Sequence, residues 1–347
     1  EALASRARAP IDAALERLVE RAPATVAAAA LRALVQRAGD SGAARAIAIL
    51  AAKSAPELRA AALEVLDSSA VRAARETVVA ACADEDWRVR AAAYRALARD
   101  RDRTSVEVLV ARLDTERSAA LGYLCDALVE LTGIAGADDA ATWQGWWRSV
   151  EKTFAVDAKP KPAPRRRAAG ATSTEYWGIP LRGRHFVFAI DLSGSMAEVL
   201  EGRTRLDVAK ARLVATLKSL GPEHRFTIVG FGTELETFER ALVPADAETV
   251  ERATKWVGRL AMRGATNIHD ALEQALAIDG VESIYLLTDG APSAGKLVDS
   301  DEIRTAIRLV NRERFVRINT IQLGGGRRER GFLEALAREN HGEARRV

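Results

Sequence analysis

The polar residues most able to do chemistry in this chain stand at alternate positions of one short loop. Asp191, Ser193 and Ser195 are each separated by one residue, and Gly194 lets the chain turn tightly between the two serines. A carboxylate and two hydroxyls in a small space are hard oxygen donors, which suit Mg²⁺ or Ca²⁺ and not zinc or copper. The loop therefore predicts a site for a hard divalent cation.

Two later stretches carry further oxygen ligands. Thr266 lies on a loop that opens a predicted helix, and Asp289 follows the apolar run 283–288. The apolar run 186–190 likewise precedes Asp191. Short apolar runs bounded by turn formers predict strands that are buried on both faces, so both aspartates are expected at strand ends.

A D-x-S-x-S loop, a distant Thr and a distant Asp-Gly together resemble the metal-ion-dependent adhesion site of von Willebrand factor A domains. All five positions of that pattern are filled, by Asp191, Ser193, Ser195, Thr266 and Asp289. The resemblance covers about half of the chain, 176–347. It implies a bound Mg²⁺, with Mn²⁺ or Ca²⁺ as alternatives.

The resemblance also implies a role for each of these residues. Ser193, Ser195 and Thr266 would bind the ion through their hydroxyls, whereas Asp191 and Asp289 would act through bound waters and by holding those hydroxyls. Neutral ligands leave most of the +2 charge exposed, and one water on a six-coordinate Mg²⁺ can be exchanged for a carboxylate. We therefore expect a metal-ion-dependent protein–protein interaction module that captures an Asp or Glu side chain of a partner protein.

A Mg²⁺-dependent hydrolase acting on phosphate esters is the alternative function. Asp191-Leu192-Ser193 lacks the second carboxylate, two residues on, that aspartyl phosphatases use, and no Cys, Lys or His is placed by sequence as nucleophile or base. A scaffold with a vestigial metal site is a third possibility, which five intact positions argue against. A serine-rich turn capping a helix is the purely structural alternative. We expect no enzymatic activity.

The first part of the chain, 1–155, is predicted to form an all-α repeat domain. Apolar residues recur at a spacing of 31, at Val35, Leu66, Leu97 and Leu128, and Arg59 and Arg90 align in the same way. The stretch 84–97, DEDWRVRAAAYRAL, resembles a HEAT repeat and predicts the helix pair 85–99 and 104–113. One helix pair cannot bury its apolar face alone, so repeats must stack, and their extended surface suggests a second protein partner. An Ala-rich bundle without repeat symmetry is the alternative.

A basic linker, 156–175, is predicted between the two halves. Three prolines alternate at the start of 159–167, KPKPAPRRR, which excludes a helix and favours an extended chain. The segment 158–184 carries seven Lys+Arg against one acidic residue, whereas 1–157 carries 21 against 23 and 185–347 carries 23 against 24. Neither half has the charge of a nucleic-acid-binding protein, so no specific nucleic acid is expected. The linker could attract an anionic partner or simply stay solvated.

The second part, 176–347, alternates strands with helices and predicts an α/β doubly wound, Rossmann-like, mostly parallel sheet. Only two residues separate the strand 225–231 from the next one, 234–239, so that third strand must be antiparallel and at an edge. The common strand order 3-2-1-4-5-6 puts the strands before Asp191 and Asp289 side by side at the switch point, where such sheets bind ligands.

Several other features predict structure. Cys82 and Cys125 are expected to be buried small hydrophobes, and the tryptophans of 143–147 to close the end of the repeat array, with an aromatic cage as the alternative. The glycines after the fifth strand predict a flexible turn, and His269 is expected at a partly exposed helix position beside the site.

No apolar run is long enough to span a membrane. The chain begins at Glu1 and not at Met, so we expect that an upstream segment is missing, and no localisation is predicted.

Overall fold

The computed structural model describes residues 2–52, 54–117, 119–134, 140–156, 174–200 and 202–347, without the side chains of 2–9 and Leu200. The chain divides into two compact units, Glu1–Ala171 and Thr172–Val347. Most of the predicted linker, 156–175, lies outside the described residues, so its extended conformation stays a prediction.

The described residues of unit 1 form ten helices. They are α1 (Ala2–Arg21), α2 (Ala24–Ala38), α3 (Asp40–Ala51), α4 (Pro56–Val65), α5 (Ser68–Ala73), α6 (Arg75–Ala81), α7 (Trp87–Asp100), α8 (Arg103–Arg112), α9 (Ala120–Thr132) and α10 (Ala140–Val150). The predicted pair 85–99 and 104–113 corresponds to α7 and α8. The predicted helical class of this half is therefore confirmed.

The helices α2, α4, α7 and α9 form a row in which each packs against the next. These helices recur along the sequence with the predicted repeat. Helix α7 shows how they pack, because its buried face consists mainly of alanines beside Val89 and Leu97. Alanine side chains let helix axes approach closely, and each helix buries its apolar stripe against its neighbours in the row. The stacked arrangement predicted from the repeat is what the chain adopts.

Charged side chains tie successive repeats together at the two aligned arginines. Arg59 makes a bidentate ion pair with Asp84 (2.7 and 2.9 Å), and Arg90 makes one with Glu116 (2.7 and 3.0 Å). Glu116 is buried and also accepts a hydrogen bond from the Tyr94 hydroxyl at 2.9 Å. The repeated arginine thus has a structural role in the solenoid.

The tryptophans at the end of the array are packed against one another and against Phe154. Trp143 and Trp147 are buried, and Trp146 lies edge-on to Trp143 with ring centroids 5.6 Å apart. This packing supports the predicted apolar plug and not an open cage. Both cysteines are buried free thiols, as predicted.

Unit 2 contains a central sheet with helices on both faces. Its elements are β1 (Glu175–Tyr176), β2 (Ile179–Pro180), β3 (His185–Asp191), a 3₁₀ turn (Gly194–Ala197), β4 (Val199–Leu200), β5 (Arg203–Thr204), α11 (Arg205–Lys218), β6 (Arg225–Phe231), β7 (Leu235–Thr237), β8 (Val243–Pro244), α12 (Ala247–Arg259), α13 (Ile268–Ala277), β9 (Ser283–Thr288), α14 (Ser300–Asn311), β10 (Arg317–Gln322), α15 (Arg327–Glu339) and β11 (Ala344–Arg346).

The strand order in the sheet is β11-β10-β9-β3-β6-β7, with β8 also paired to β6. The pairs from β11 through β6 are parallel, whereas β7 and β8 run antiparallel to β6. This is the predicted order, including the antiparallel edge strand. Because β3 and β9 are neighbours, their carboxyl ends lie side by side.

Two apolar cores flank the sheet because consecutive strand residues point to opposite faces. Phe186 and Phe188 of β3 join the core under α11 and α12, whereas Val187 and Ala189 join the core under α13, α14 and α15. The polar loops at the strand ends are thereby held on a rigid base. In the part of the chain that is described, no helix is both long and apolar enough to cross a membrane.

Candidate metal site

Asp191 ends β3 as a fully buried carboxylate with both oxygens hydrogen-bonded. Its Oδ1 accepts the backbone N–H of Ser193 at 2.7 Å, and its Oδ2 accepts the hydroxyl of Thr288, the last residue of β9, at 2.5 Å. The first bond closes the tight turn of the D-x-S-x-S loop. The second ties that loop to the neighbouring strand, so Asp191 organises the site as well as lining it.

Asp289 is the second buried carboxylate and holds a serine hydroxyl. Ser195 Oγ donates to Asp289 Oδ1 at 2.6 Å, and Ser193 Oγ lies 3.1 Å from Ser195 Oγ. Ser195 is exposed, so the cluster opens to solvent at this residue. The two serine hydroxyls and one carboxylate therefore form a continuous row of oxygens.

The loop that carries Thr266 is anchored to both of these strand-end segments. Gly194 N–H donates to the Gly264 carbonyl at 2.9 Å, while Thr266 N–H donates to Ser293 Oγ at 3.0 Å and Thr266 O accepts Ser293 N–H at 2.9 Å. Thr266 is buried. Three separate stretches of chain are thus bonded into one cluster.

The position of Gly290 shows that the hydroxyls of Ser195 and Thr266 lie close to a common point. A Cβ placed on Gly290 would lie 3.7 Å from both Ser195 Oγ and Thr266 Oγ1. The structure therefore brings together all five residues that the sequence predicts for the site. Their donors are all oxygen, which fits a hard cation such as Mg²⁺.

Burial determines the electrostatics at Asp191. Desolvation raises the pKa of Asp191 to about 6, hydrogen bonds from Ser193 and Thr288 pull it down, and the charge of Asp289 pushes it up. A buried carboxylate with a raised pKa is more stable when a proton or a cation compensates its charge. The site is therefore short of positive charge.

Arg205 supplies part of that charge, and sequence reasoning missed it. Its Nη1 donates to Asp289 Oδ2 at 2.9 Å, and its Nη2 forms an ion pair with Glu198 Oε2 at 2.6 Å. A Cβ on Gly324 would clash with the guanidinium, and one on Gly325 would clash with the Asp289 carbonyl. The predicted flexible turn is in fact a close-packed turn, which needs glycine for space as well as for its positive φ.

His269 lies on a helix, α13, as predicted, but its predicted partial exposure is wrong, because the residue is buried. His269 Nδ1 lies 2.8 Å from Asp270 Oδ1, an oxygen that also accepts Lys296 N–H at 3.2 Å. Glu273 is paired with the Lys296 ammonium. This group fixes the loop after β9 to α13 beside Thr266, a structural task that no spacing in the sequence indicates.

Comparison with known families matches each half of the chain separately. Residues 185–346 match the von Willebrand factor type A domain, and residues 43–124 match HEAT repeats. The described fold agrees with both matches.

Curated relatives share the second half. Human inter-alpha-trypsin inhibitor heavy chain H4 is 33% identical over 183 residues, which are 49% of this chain and 19% of that protein. Heavy chain H3 from Bos taurus is 31% identical over 183 residues, which are 49% of this chain and 20% of that protein. The chain thus spans about a fifth of the length of these relatives. Among solved structures, a von Willebrand factor type A protein from Catenulispora acidiphila aligns with a TM-score of 0.41 and 21% identity, over 47% of this chain and 38% of that one.

Proposed function

The chain is a von Willebrand factor A domain protein with N-terminal HEAT-like repeats, and from that premise we propose that it is a metal-ion-dependent protein interaction module. A Mg²⁺ ion, or Mn²⁺ or Ca²⁺, would bind where the loops after β3 and β9 meet the loop before α13. The ion would supply an open coordination position for an Asp or Glu carboxylate of a partner protein.

The roles follow from the contacts of each residue. The hydroxyls of Ser193, Ser195 and Thr266 would hold the ion. Asp289 orients Ser195 by accepting a hydrogen bond from its hydroxyl, which leaves a lone pair of that oxygen available to a cation. Asp191 fixes the turn that carries both serines and adds a second negative charge.

One observation supports this proposal above the others. Oxygen-bearing side chains from three separated stretches converge at the ends of two adjacent parallel strands, the place where open α/β sheets bind ligands. Two buried carboxylates face one arginine there, and a divalent cation would offset the remaining charge.

The two halves would act as separate domains. We propose the boundaries 1–155 and 176–347 with the basic linker 156–175 between them, and the division into two compact units supports this. The repeat domain would offer its stacked helices to a second protein partner.

The test is thermal unfolding with and without Mg²⁺, joined to titration calorimetry with MgCl₂. Mg²⁺ should raise the melting temperature of the wild type, because a ligand that binds only the native state stabilises it by mass action. Asp191→Asn keeps an acceptor for Ser193 N–H but removes the charge, and it should lose this rise. Asp299→Asn is the matched control, since Asp299 caps α14 in the segment after β9 and lies outside the proposed site.

The outcomes separate the proposal from its alternatives. A full Mg²⁺-dependent rise in Asp191→Asn would place the ion elsewhere. Mg²⁺-dependent turnover of p-nitrophenyl phosphate that is lost in Asp191→Asn would favour the hydrolase. Capture of a partner protein that EDTA abolishes in the wild type, and that Asp191→Asn lacks, would support the interaction module.

A further inference from the structure

Arg205 is held in a defined place by its neighbours. It is the first residue of α11, its N–H donates to the Glu198 carbonyl at 2.9 Å, and its guanidinium bridges Asp289 and Glu198. The backbone at Gly324 packs so closely against the guanidinium that a Cβ there would clash. Only 15% of the Arg205 side chain is exposed. This is a built contact and not a mobile surface arginine.

The bond to Asp289 has two consequences for a bound cation. First, Arg205 occupies Oδ2 of Asp289 while Ser195 occupies Oδ1, so neither oxygen of this carboxylate lacks a donor. Second, Arg205 places a positive charge 2.9 Å from Asp289 Oδ2, at the edge of the proposed site, and like charges repel strongly in a partly buried site. Both effects oppose cation binding.

The same charge favours the next step, the capture of a carboxylate. The formal charges of Asp191, Asp289 and Arg205 add up to −1 without an ion and to +1 with a divalent ion. Glu198 contributes little to this sum because 64% of its side chain is exposed and water screens it. An anionic ligand would therefore meet a net positive site. Without Arg205 the loaded site would be neutral.

We propose that Arg205 is a resident counter-ion that weakens cation binding and strengthens carboxylate capture at this site. The proposal rests on the proposed function, since it needs a cation to bind there. Arg205 is a positioning residue in this scheme. It acts on the ion through Asp289 and through its charge.

The experiment is calorimetric titration of the full chain with MgCl₂ and MnCl₂. Arg205→Gln should bind either ion about tenfold more tightly than the wild type, because a nearby positive charge is removed and Asp289 Oδ2 is released. Arg205→Lys keeps the charge and should restore the weaker binding. Arg203→Gln is the matched control: it removes the same charge two residues away, at an exposed side chain, and it should leave the affinity unchanged.

A second measurement separates the counter-ion role from a merely structural one. The Mn²⁺-loaded proteins are titrated with acetate, and loss of inner-sphere water is followed by water proton relaxation. Arg205→Gln should need about tenfold more acetate than the wild type, opposite in direction to its tighter ion binding. A variant that was only destabilised would weaken both steps.

Each result decides between the claims. Equal or weaker Mg²⁺ binding by a folded Arg205→Gln would overturn the counter-ion role and leave the metal site standing. Binding of Mg²⁺ by neither protein would overturn the metal site and the counter-ion role together. Should Arg205→Gln fail to fold, Glu198→Gln is used instead. Although water screens most of the Glu198 charge, this variant leaves the guanidinium bonded to Asp289 alone, so Mg²⁺ affinity should fall slightly, by about twofold, and a rise in affinity would overturn the proposal.

Discussion

Buried carboxylates in the two units are compensated in different ways. In unit 1, Glu116 accepts two hydrogen bonds from the Arg90 guanidinium and a third from the Tyr94 hydroxyl. In unit 2, Asp191 and Asp289 together have one arginine, Arg205, which Glu198 shares. In the first arrangement an arginine bonds both oxygens of the buried carboxylate, and this contact holds repeats together. The second has an excess of negative charge, as expected where a cation is meant to bind.

The two kinds of buried carboxylate also differ in whether they recur along the chain. The pair Arg90–Glu116 has a counterpart one repeat earlier, Arg59–Asp84, with the arginines 31 residues apart and the acidic residues 32 apart. The oxygen cluster of unit 2 occurs once among the described residues. A charged residue that recurs with the repeat has a packing task, because every repeat must solve the same stacking problem.

The largest effect on stability is expected from breaking the buried pair Arg90–Glu116. Arg90→Met removes the guanidinium that bonds both oxygens of the buried Glu116 and should lower the free energy of unfolding of unit 1 by about 3–5 kcal/mol. Denaturant unfolding followed by circular dichroism measures this. Arg45→Met is the control, because its pairs with Glu16 and Glu20 are largely exposed and should contribute less than about 1 kcal/mol. Equal losses in both variants would contradict the structural role of the buried pair.

The excess of negative charge in unit 2 should make the stability of the metal-free protein, measured in the presence of EDTA, depend on pH. The folded-state pKa of Asp191, about 6, exceeds the value of about 4 for an unfolded chain. Stability from this group is therefore complete below pH about 4 and is lost as the pH rises through about 6, at up to about 1.4 kcal/mol per pH unit. Asp191→Asn should lack this slope. Thermal unfolding from pH 4 to 7 tests it, and identical slopes in the two proteins would refute the assignment.

Removing one neutral ligand should have a smaller effect. Ser193→Ala deletes a hydroxyl 3.1 Å from Ser195 Oγ but leaves the N–H that bonds to Asp191. The variant should keep its fold and bind Mg²⁺ more weakly, with a reduced Mg²⁺-dependent rise in melting temperature. Ser219→Ala is the control, because Ser219 ends α11 far along the chain from the site. A full rise in Ser193→Ala would exclude this hydroxyl as a ligand.

The smallest energetic change is expected from separating the two units. Limited trypsin digestion should cut first in 159–167, where five basic residues lie among prolines. The two products should then keep the unfolding transitions they show in the intact chain. First cuts within 30–150 would contradict a folded repeat domain.

Local patterns were sufficient for much of this architecture. The apolar runs before Asp191 and Asp289 predicted buried strands, and the strand order predicted that their ends would meet. The two-residue connection after β6 required an antiparallel neighbour, because a parallel crossover needs a dozen or more residues. Each of these conclusions depends on chain length and side-chain alternation, which the sequence displays directly.

Tertiary structure alone decided which side chains meet across long separations. Arg205 lies 84 residues from Asp289, and nothing in its surroundings in sequence marks it as the partner of that carboxylate. The burial of His269 and the tight packing at Gly324 were likewise hidden. The physical reason is the same in each case. A periodic pattern in the sequence tells which face of an element is apolar. The direction of a single polar side chain depends instead on the elements that pack around it, and these elements come together only when the sheet has formed.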